Sequence, residues 1–381
     1  MTDVYVIGIG MTQFGKHPDR TAAGLGAEAV RGAIHDAEID PRAIRTAYAG
    51  HVFQPMVTGQ QVLGQVGLAG IPLANVENAC SSGATAIRGS FLDILAGEAD
   101  VSLAFGTEHL TGAFKGAFTP GEDDPEAAVG ATMPAVYAMR ARRYMEEFDL
   151  TREQLARISV KNKRNAALNP LAHFKKDITI DDVLMAKPIA EPFGLLDCSP
   201  VSDGAAAVLL ASGDWVQRHG DPSRAIRLAA SALRTGKVET APGSMTFEEL
   251  TRDTADDAYE RAGIGPADID FAEVHDCFTI AEVLRIEGLG LWEQGTYPAA
   301  VERGEADIGG RLPVNPSGGL LGKGHPLAAT GVAQVVELVK QLRGEAGSRQ
   351  IEGASVGIAH CRGGKTVGVE GAACTVQILT R

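Results

Sequence analysis

Six residues near the start of the chain return in its second half. Ala33, Ala37, Ile39, Pro41, Ile44 and Ala47 recur as Ala258, Ala262, Ile264, Pro266, Ile269 and Ala272, each displaced by 225 positions (266 − 41). A second correspondence pairs Cys80 with His325, Ala84 with Ala329 and Thr85 with Thr330, at an offset of 245 (325 − 80). A repeat of this length duplicates half a domain, whereas solenoid units run to a few tens of residues. Two such halves related by a two-fold axis put equivalent helix starts face to face, so Cys80 and His325 are expected to be neighbours in space.

Both positions read as strand-to-helix junctions. An apolar run over 71–76 precedes Asn78-Ala79-Cys80-Ser81-Ser82-Gly83, and residues 84–95 follow with apolar side chains at helical spacing. The second junction is Asn315-Pro316-Ser317-Gly318-Gly319 followed by Gly322-Lys323-Gly324-His325-Pro326, a glycine-rich loop with proline where a first helical turn accepts it. Unpaired N–H groups and the positive end of a helix dipole favour thiolate over thiol, so an activated Cys80 is expected, with small neighbours that let a bulky reactant approach. A lone cysteine is more often a small buried hydrophobe than a nucleophile. The paired junction is what argues for chemistry.

Taken in order, the pattern predicts strands at 4–10, 47–52, 74–79 and 101–105 and helices at 21–39 and 61–68. Gly8 and Gly10 are followed by Met11, Thr12 and Gln13, so the GxGxxG fingerprint of a dinucleotide site is not completed. Residues 111–193 leave the sheet, with acidic loops and helices at 134–148 and 152–168. Lys161, Lys163, Arg164, His173, Lys175 and Lys176 make a local basic excess there, either a solvated face or a seat for a phosphorylated ligand. The sheet resumes with strands at 205–210, 226–232, 269–274, 355–359 and 373–379 and helices at 247–262, 281–289 and 332–342. Alternation of this kind implies layered α/β sheets with mainly parallel pairing. His275-Asp276-Cys277-Phe278 and His360-Cys361-Arg362-Gly363-Gly364 each follow a strand, where the functional groups of α/β sheets collect.

Composition narrows the function. With 381 residues, 45% of them hydrophobic, the chain can bury a large core spread over two or more domains. A net charge of −13 without a Lys/Arg stripe argues against nucleic acid. Five cysteines, odd in number and widely spaced, do not form a disulfide framework and point to a reducing compartment. No apolar run is of membrane-spanning length, no signal core opens the sequence, and Leu379-Thr380-Arg381 is not a peroxisomal address, so a cytoplasmic location is expected.

Four motifs together resemble the thiolase superfamily over essentially the whole chain: Asn78-Ala79-Cys80-Ser81-Ser82-Gly83, Ser202-Asp203-Gly204-Ala205-Ala206-Ala207, His275-Asp276-Cys277-Phe278 and Gly322-Lys323-Gly324-His325-Pro326. His275, where biosynthetic thiolases carry asparagine, resembles the sterol-carrier-protein-type and archaeal acetyl-CoA acetyltransferase branch. The resemblance implies an α/β thiolase fold, two duplicated βαβ halves forming a five-layered αβαβα core with an inserted loop domain. Residues 1–110 and 200–222 would make the N-terminal half, 111–199 the loop domain over CoA and substrate, and 223–381 the C-terminal half.

It also implies an acyl-CoA C-acyltransferase running a reversible Claisen condensation or thiolytic cleavage of a 3-oxoacyl-CoA. Cys80, deprotonated by His325, would carry the acyl group. Cys361 would exchange the α-proton. His275 and His325 would stabilise the enolate, and the N–H groups of Cys80 and Gly363 would form the oxyanion hole. Lys161, Lys163, Arg164, His173, Lys175 and Lys176 would lie near the CoA phosphates, with Ser202 and Gly324 also on the CoA side. CoA and acyl-CoA enter as substrates, with no tightly bound cofactor and no metal. A homodimer or dimer of dimers is implied, with the 74–79 strand as a contact, and a small OB-fold, zinc-ribbon partner that helps bind acyl-CoA.

The segment after Cys361 is longer than the family's Cys-x-Gly turn. A second register puts residues 368–371 in that turn, leaves no cysteine there, and makes His275 the substitute proton carrier. Two other functions stay open. His275, Asp276, Cys277, His360 and Cys361 are plausible zinc ligands for a hydrolase, and an acyl-CoA-binding or aldolase-like subunit of the same fold would serve an OB-fold partner.

Overall fold

A computed structural model describes residues 2–114, 126, 129–237, 243–366 and 368–381. Its strands are β1 (Val4–Met11), β2 (Thr46–Gly50), β3 (Leu73–Val76), β4 (Val101–His109), β5 (Pro188–Ala190), β6 (Phe193–Gly194) and β7 (Asp203–Ser212) in the first part of the chain. The second part supplies β8 (Ile226–Arg234), β9 (Phe271–Glu273), β10 (Val356–Gly363) and β11 (Ala373–Thr380). Hydrogen bonding orders nine of them β3-β2-β4-β7-β1-β8-β11-β10-β9.

This ribbon is two half-sheets meeting at an edge, since β1 and β8 pair only at Tyr5–Arg227 and Val6–Ile226. The duplication is visible in the topology. The order β2-β4-β7-β1 is matched by β9-β10-β11-β8, and β3 by the isolated parallel bridge of Val314 to Ala272. The helix Ala22–Ala37 covers the outer face of the first half-sheet and Glu249–Ala262 that of the second, while Ser82–Ala96 and Leu327–Arg343 pack together between the two. Helix, sheet, helix pair, sheet and helix make a five-layered αβαβα core, as the resemblance implied.

Pairing is mixed, which corrects the expectation of mainly parallel strands. Only β2–β3, β2–β4 and β9–β10 run parallel among the main strands. Among the described residues of 364–372, which join β10 and β11, there is no crossover helix, so the chain returns antiparallel. β4 and β7 are joined through the excursion at 111–202, which re-enters the sheet at the end where β4 left it.

Two glycines set the first layer. A Cβ on Gly8 would lie 2.3 Å from the Ala33 carbonyl oxygen and one on Gly10 2.0 Å from that of Ala29, so the helix Ala22–Ala37 rests directly on the β1 backbone. The Gly-x-Gly pair is there for helix contact, consistent with the rejected nucleotide fingerprint. β4 runs four residues beyond its expected end at Phe105, because buried partners satisfy its polar tail; Thr107 donates to the Ala22 carbonyl at 2.7 Å.

The excursion contains the helices Met133–Phe148, Arg152–Ala167 and Ile180–Leu184 and the small β5–β6 ribbon. Residues 115–125, 127 and 128 of the expected loop domain lie outside the described residues. A capping box of Thr151 and Gln154 starts the helix Arg152–Ala167, which packs on the short helix Gly319–Lys323 just ahead of His325.

Candidate active site

β3 ends at Val76, three residues earlier than the pattern suggests, and the chain then turns sharply. Ala79 takes a left-handed φ of 47°, with its carbonyl accepting from the Ser82 amide at 3.1 Å and the Ser82 hydroxyl at 2.6 Å. Left-handed backbone is costly for a residue with a Cβ, so these bonds hold a strained elbow that presents Cys80 ahead of the helix Ser82–Ala96. At the equivalent point of the second half, Gly324 has φ 109° and presents His325 ahead of Leu327–Arg343.

The two-fold expectation holds. Reactive atoms of Cys80, His275 and His325 lie within 4.8 Å of one another, and the two imidazoles meet edge to face with centroids 5.0 Å apart. His325 Nδ1 is 2.7 Å from Thr330 Oγ1, whose single hydrogen goes to the Pro326 carbonyl at 3.0 Å. The hydroxyl therefore accepts from Nδ1–H, which leaves the lone pair on Nε2. His325 is a base in its resting tautomer.

Burial pushes the Cys80 thiol well above its ordinary pKa, and the nearby Cys361 and Cys277 add to the effect. Burial also lowers His325 to about 3. The expected helix-activated thiolate is thus corrected to a resting thiol beside a neutral imidazole. Desolvation outweighs the helix start, and the backbone N–H that favours the thiolate comes from Gly364. Gly363 sits in β10 opposite Ala373, so close to the Cys80 turn that a Cβ there would lie 1.9 Å from the Asn78 carbonyl oxygen.

Cys361 is brought into the same site. Its Sγ lies 3.1 Å from the Cys80 carbonyl oxygen and 3.4 Å from His275 Nδ1, while Ser81 Oγ donates to its carbonyl at 2.8 Å. Thr366 and Glu370 close a separate turn, so of the two registers it is the one with Cys361 that meets Cys80. Burial raises the Cys361 thiol to about 12 and lowers His275 well below its usual value, with His325 contributing. At rest this second pair is also uncharged.

One carboxylate ties the two histidine loops together. Asp276 accepts from the Leu320 amide at 2.6 Å and from Asn162 Nδ2 at 2.7 Å, while Asn315 Oδ1 accepts from the Val274 amide at 2.8 Å. Asp276 is thereby turned away from its neighbour His275. His360 likewise faces Thr251 Oγ1 at 3.2 Å and Cys374 Sγ at 3.3 Å, so the expected zinc ligands do not converge. Among the described residues, Cys80, His275 and His325 are the group whose donor atoms are close enough to share a metal ion.

The basic residues of the excursion divide. Lys161 is buried and paired with Glu282 at 3.1 Å, with a bond to the Val314 carbonyl at 2.9 Å. Lys163 is buried, donates to the Leu321 carbonyl at 2.8 Å and lies over the Phe174 ring. Both are buried and bonded within the protein, which corrects the expectation of a solvated face or a phosphate seat for these two; their ammonium groups satisfy carbonyls of the loop ahead of His325. Arg164 pairs with Asp307, Lys175 donates to the Pro170 carbonyl, and Lys176 is exposed. His173 Nδ1 is 2.9 Å from Ser202 Oγ, which accepts from the His325 amide at 3.3 Å, and Gly324 packs against that hydroxyl. His173, Ser202 and Gly324 therefore adjoin the catalytic loop.

Two neighbours were missed. Glu108, buried at the end of β4, accepts at Oε1 from the Val52 and Phe53 amides and Gln54 Nε2, and burial raises it to about 7. A carboxylate three residues past the apolar run that ends at Phe105 was the available signal. Tyr137, from the helix Met133–Phe148, stacks on Phe278 with centroids 4.7 Å apart and reaches the Cys277 thiol. Nothing in the local sequence marks it.

A thiol at a strained elbow, a neutral imidazole with its lone pair free and a second thiol–imidazole pair define an enzyme that transfers acyl groups through cysteine. The chain belongs to the thiolase family: the model described as "Thiolase, N-terminal domain" matches residues 4–214 and "Thiolase C-terminal domain-like" matches 231–373. It is 40% identical to an acetyl-CoA acetyltransferase of Methanothermobacter thermautotrophicus over the full length of both chains. It is 41% identical to the benzoylsuccinyl-CoA thiolase subunit BbsB of Thauera aromatica, covering 95% of this chain and 94% of that one. Among solved structures, the Ltp2–ChsH2(DUF35) aldolase matches with a TM-score of 0.86 and 26% identity over 99% of this chain and 97% of that one.

Proposed function

We propose that the chain is a thiolase-type acyltransferase that joins or cleaves 3-oxoacyl-CoA through a Cys80 acyl-enzyme. The convergence of Cys80, His275 and His325 within 4.8 Å carries this reading. In the condensing direction, Cys80 Sγ gives its proton to His325 Nε2 as it attacks the thioester carbonyl. The oxyanion is received by backbone N–H groups of Cys80 and the 363–364 turn. Collapse expels CoA, which leaves with the proton from His325, and the acyl group stays on Cys80. Cys361, whose own proton passes to His275 Nδ1, removes the α-proton of a second acyl-CoA. The imidazolium then hydrogen-bonds the enolate oxygen from its other nitrogen while the enolate carbon attacks the acyl-enzyme carbonyl, and Cys80 leaves as a thiolate that takes the proton held by His275.

CoA and acyl-CoA are the substrates in this reading, which uses no tightly bound cofactor and no metal. It keeps 1–110 with 200–222 and 223–381 as the two halves, and 111–199 as the cover over CoA. Arg164, Lys175 and Lys176 remain the candidates for its phosphates. The same reading places the protein in the cytoplasm as a homodimer or dimer of dimers; the edge strand β3 and the exposed Met56 and Val57 support a contact there. Similarity to the Ltp2–ChsH2(DUF35) aldolase, which includes a DUF35 component, supports a small OB-fold, zinc-ribbon partner.

The test is intact-protein mass after mixing with acetoacetyl-CoA and longer 3-ketoacyl-CoAs. An acyl adduct on the wild type, absent from Cys80→Ala, is expected. No adduct with any substrate, alone or with the partner, would leave an acyl-CoA-binding or aldolase-like subunit instead.

A further inference from the structure

Behind the reaction centre lies a buried knot of charge that the mechanism does not use. Arg140, Arg285 and Arg362 converge on one carboxylate oxygen of Glu248: Arg140 Nη1 at 2.6 Å, Arg362 Nη1 at 2.5 Å and Arg285 Nη1 in close contact. All four side chains are buried. Three guanidinium charges against one carboxylate leave a positive surplus in a place where charges are normally matched. The neighbouring imidazoles His275 and His360 do not change that count, since burial holds both neutral. Glu370, half-buried, and Glu249, exposed, stand on the outer rim beside Arg362.

The three arginines are not equally satisfied. Arg140 also donates to the Met245 carbonyl at 2.9 Å and Arg362 to the Val369 carbonyl at 2.5 Å. Arg285 is the one directed toward the catalytic side. Its Nη2 donates to the Tyr137 hydroxyl at 2.6 Å, and its buried Nε, like that of Arg362, has no hydrogen-bond partner. Because the phenol oxygen accepts from Arg285, its own hydrogen is left free to donate, and the Cys277 thiol is the weak acceptor beside it. Cys277 in turn is near enough to Cys80 to influence its ionisation. A cation-polarised O–H donor thus faces the reaction centre from behind Cys277, with surplus positive charge at its back.

The geometry points to a carboxylate on the acyl chain: Tyr137 O–H, backed by Arg285, receives a terminal carboxylate of the 3-oxoacyl group carried on Cys80. This deepens the thiolase reading and rests on it. A carboxylate there would replace a weak O–H to sulfur contact with a charge-assisted bond and would supply the missing anion. Phe278, stacked on Tyr137, gives the methylene part of such a chain an apolar neighbour.

The test compares thiolysis of 3-oxoadipyl-CoA with that of 3-oxohexanoyl-CoA, which has the same chain length and no charge, using the full chain. The expected kcat/KM is at least 100-fold higher for the carboxylate substrate. Tyr137→Phe is expected to cut that ratio by 10-fold or more, and raising salt should leave the wild-type ratio nearly unchanged because the site is buried. Equal or better turnover of the neutral chain overturns the inference, and so does a ratio that Tyr137→Phe leaves intact. Because the first comparison needs only wild-type protein, a variant that fails to fold does not protect the idea. Failure of the thiolase reading looks different, since then neither substrate leaves an acyl group on Cys80, and the inference falls with it.

Discussion

Replacing Thr330 by valine isolates one proton. The hydroxyl is fully buried, accepts from His325 Nδ1 at 2.7 Å and passes its own hydrogen to the Pro326 carbonyl. Valine matches threonine in shape and removes the acceptor, so Nδ1–H is left without a partner in a dry site. An orphaned buried donor costs about 1–3 kcal/mol. The imidazole escapes that cost by moving its proton to Nε2, which is the atom that must take the Cys80 proton. Either response raises the acylation barrier, and at about 1.4 kcal/mol per decade the expected loss is roughly 5- to 150-fold. Thr330→Ser keeps the hydroxyl and should recover most of the rate. The assay is single-turnover formation of the acyl-enzyme by rapid-quench mass spectrometry, with thermal unfolding as the control for folding. A valine variant that acylates within about two-fold of wild type while remaining folded would refute the tautomer argument.

Other substitutions test other parts of the account. Gly83→Ala adds a Cβ placed 2.0 Å from the Ala328 carbonyl oxygen, so it should cost about 1–3 kcal/mol of overpacking and depress acyl-enzyme formation, read by urea unfolding and the same mass assay. Lys161→Ala strands the buried Glu282 and should destabilise the fold by about 3–5 kcal/mol; a selective rise in KM for CoA with normal stability would restore Lys161 as a phosphate ligand. His360, lowered to about 3 by burial, stays neutral in the folded chain while the unfolded chain protonates below about pH 6.5. Its share of stability is therefore complete above that pH and declines as pH falls toward 3, by about 2 kcal/mol at pH 5. Glu108 and Glu287, both raised to about 7, act in the opposite sense, so the readout is a difference: between pH 7 and 5 wild type should lose about 2 kcal/mol more than His360→Gln in urea unfolding. Parallel profiles would contradict the assignment.

Much of the architecture was legible because duplication is a sequence-level fact. The offset of 245 that pairs Cys80 with His325 also pairs the helix starts Ser82 and Leu327, and the structure builds the site across that correspondence. What the sequence could not convey is depth. Lys161 and Lys163 look like any basic pair on a helix, yet partners more than a hundred residues away bury them. The state of Cys80 was misjudged for the same reason: the helix start is local and visible, whereas desolvation depends on neighbours from Cys277 and Cys361 that only the fold assembles. Tyr137 and Arg285 meet across separate helices, and no periodicity announces such a pair. Strand direction failed where the connection lacked a helix, as between β10 and β11, because apolar runs carry no polarity.

The two central helices touch at glycines, the Gly83 backbone against the Ala328 carbonyl and the Gly331 backbone against the Ala84 methyl and amide. Each helix has a reacting group just ahead of its first turn, one the proposed nucleophile and the other its proposed base. Their spacing is consequently a property of the seam between the halves, much as the gap of a hinge is fixed at the pin rather than at the leaves. Loops around the site are free to diversify for new acyl chains without disturbing that gap. Side-chain volume added at the seam, far from any substrate, would misalign the chemistry for every substrate at once.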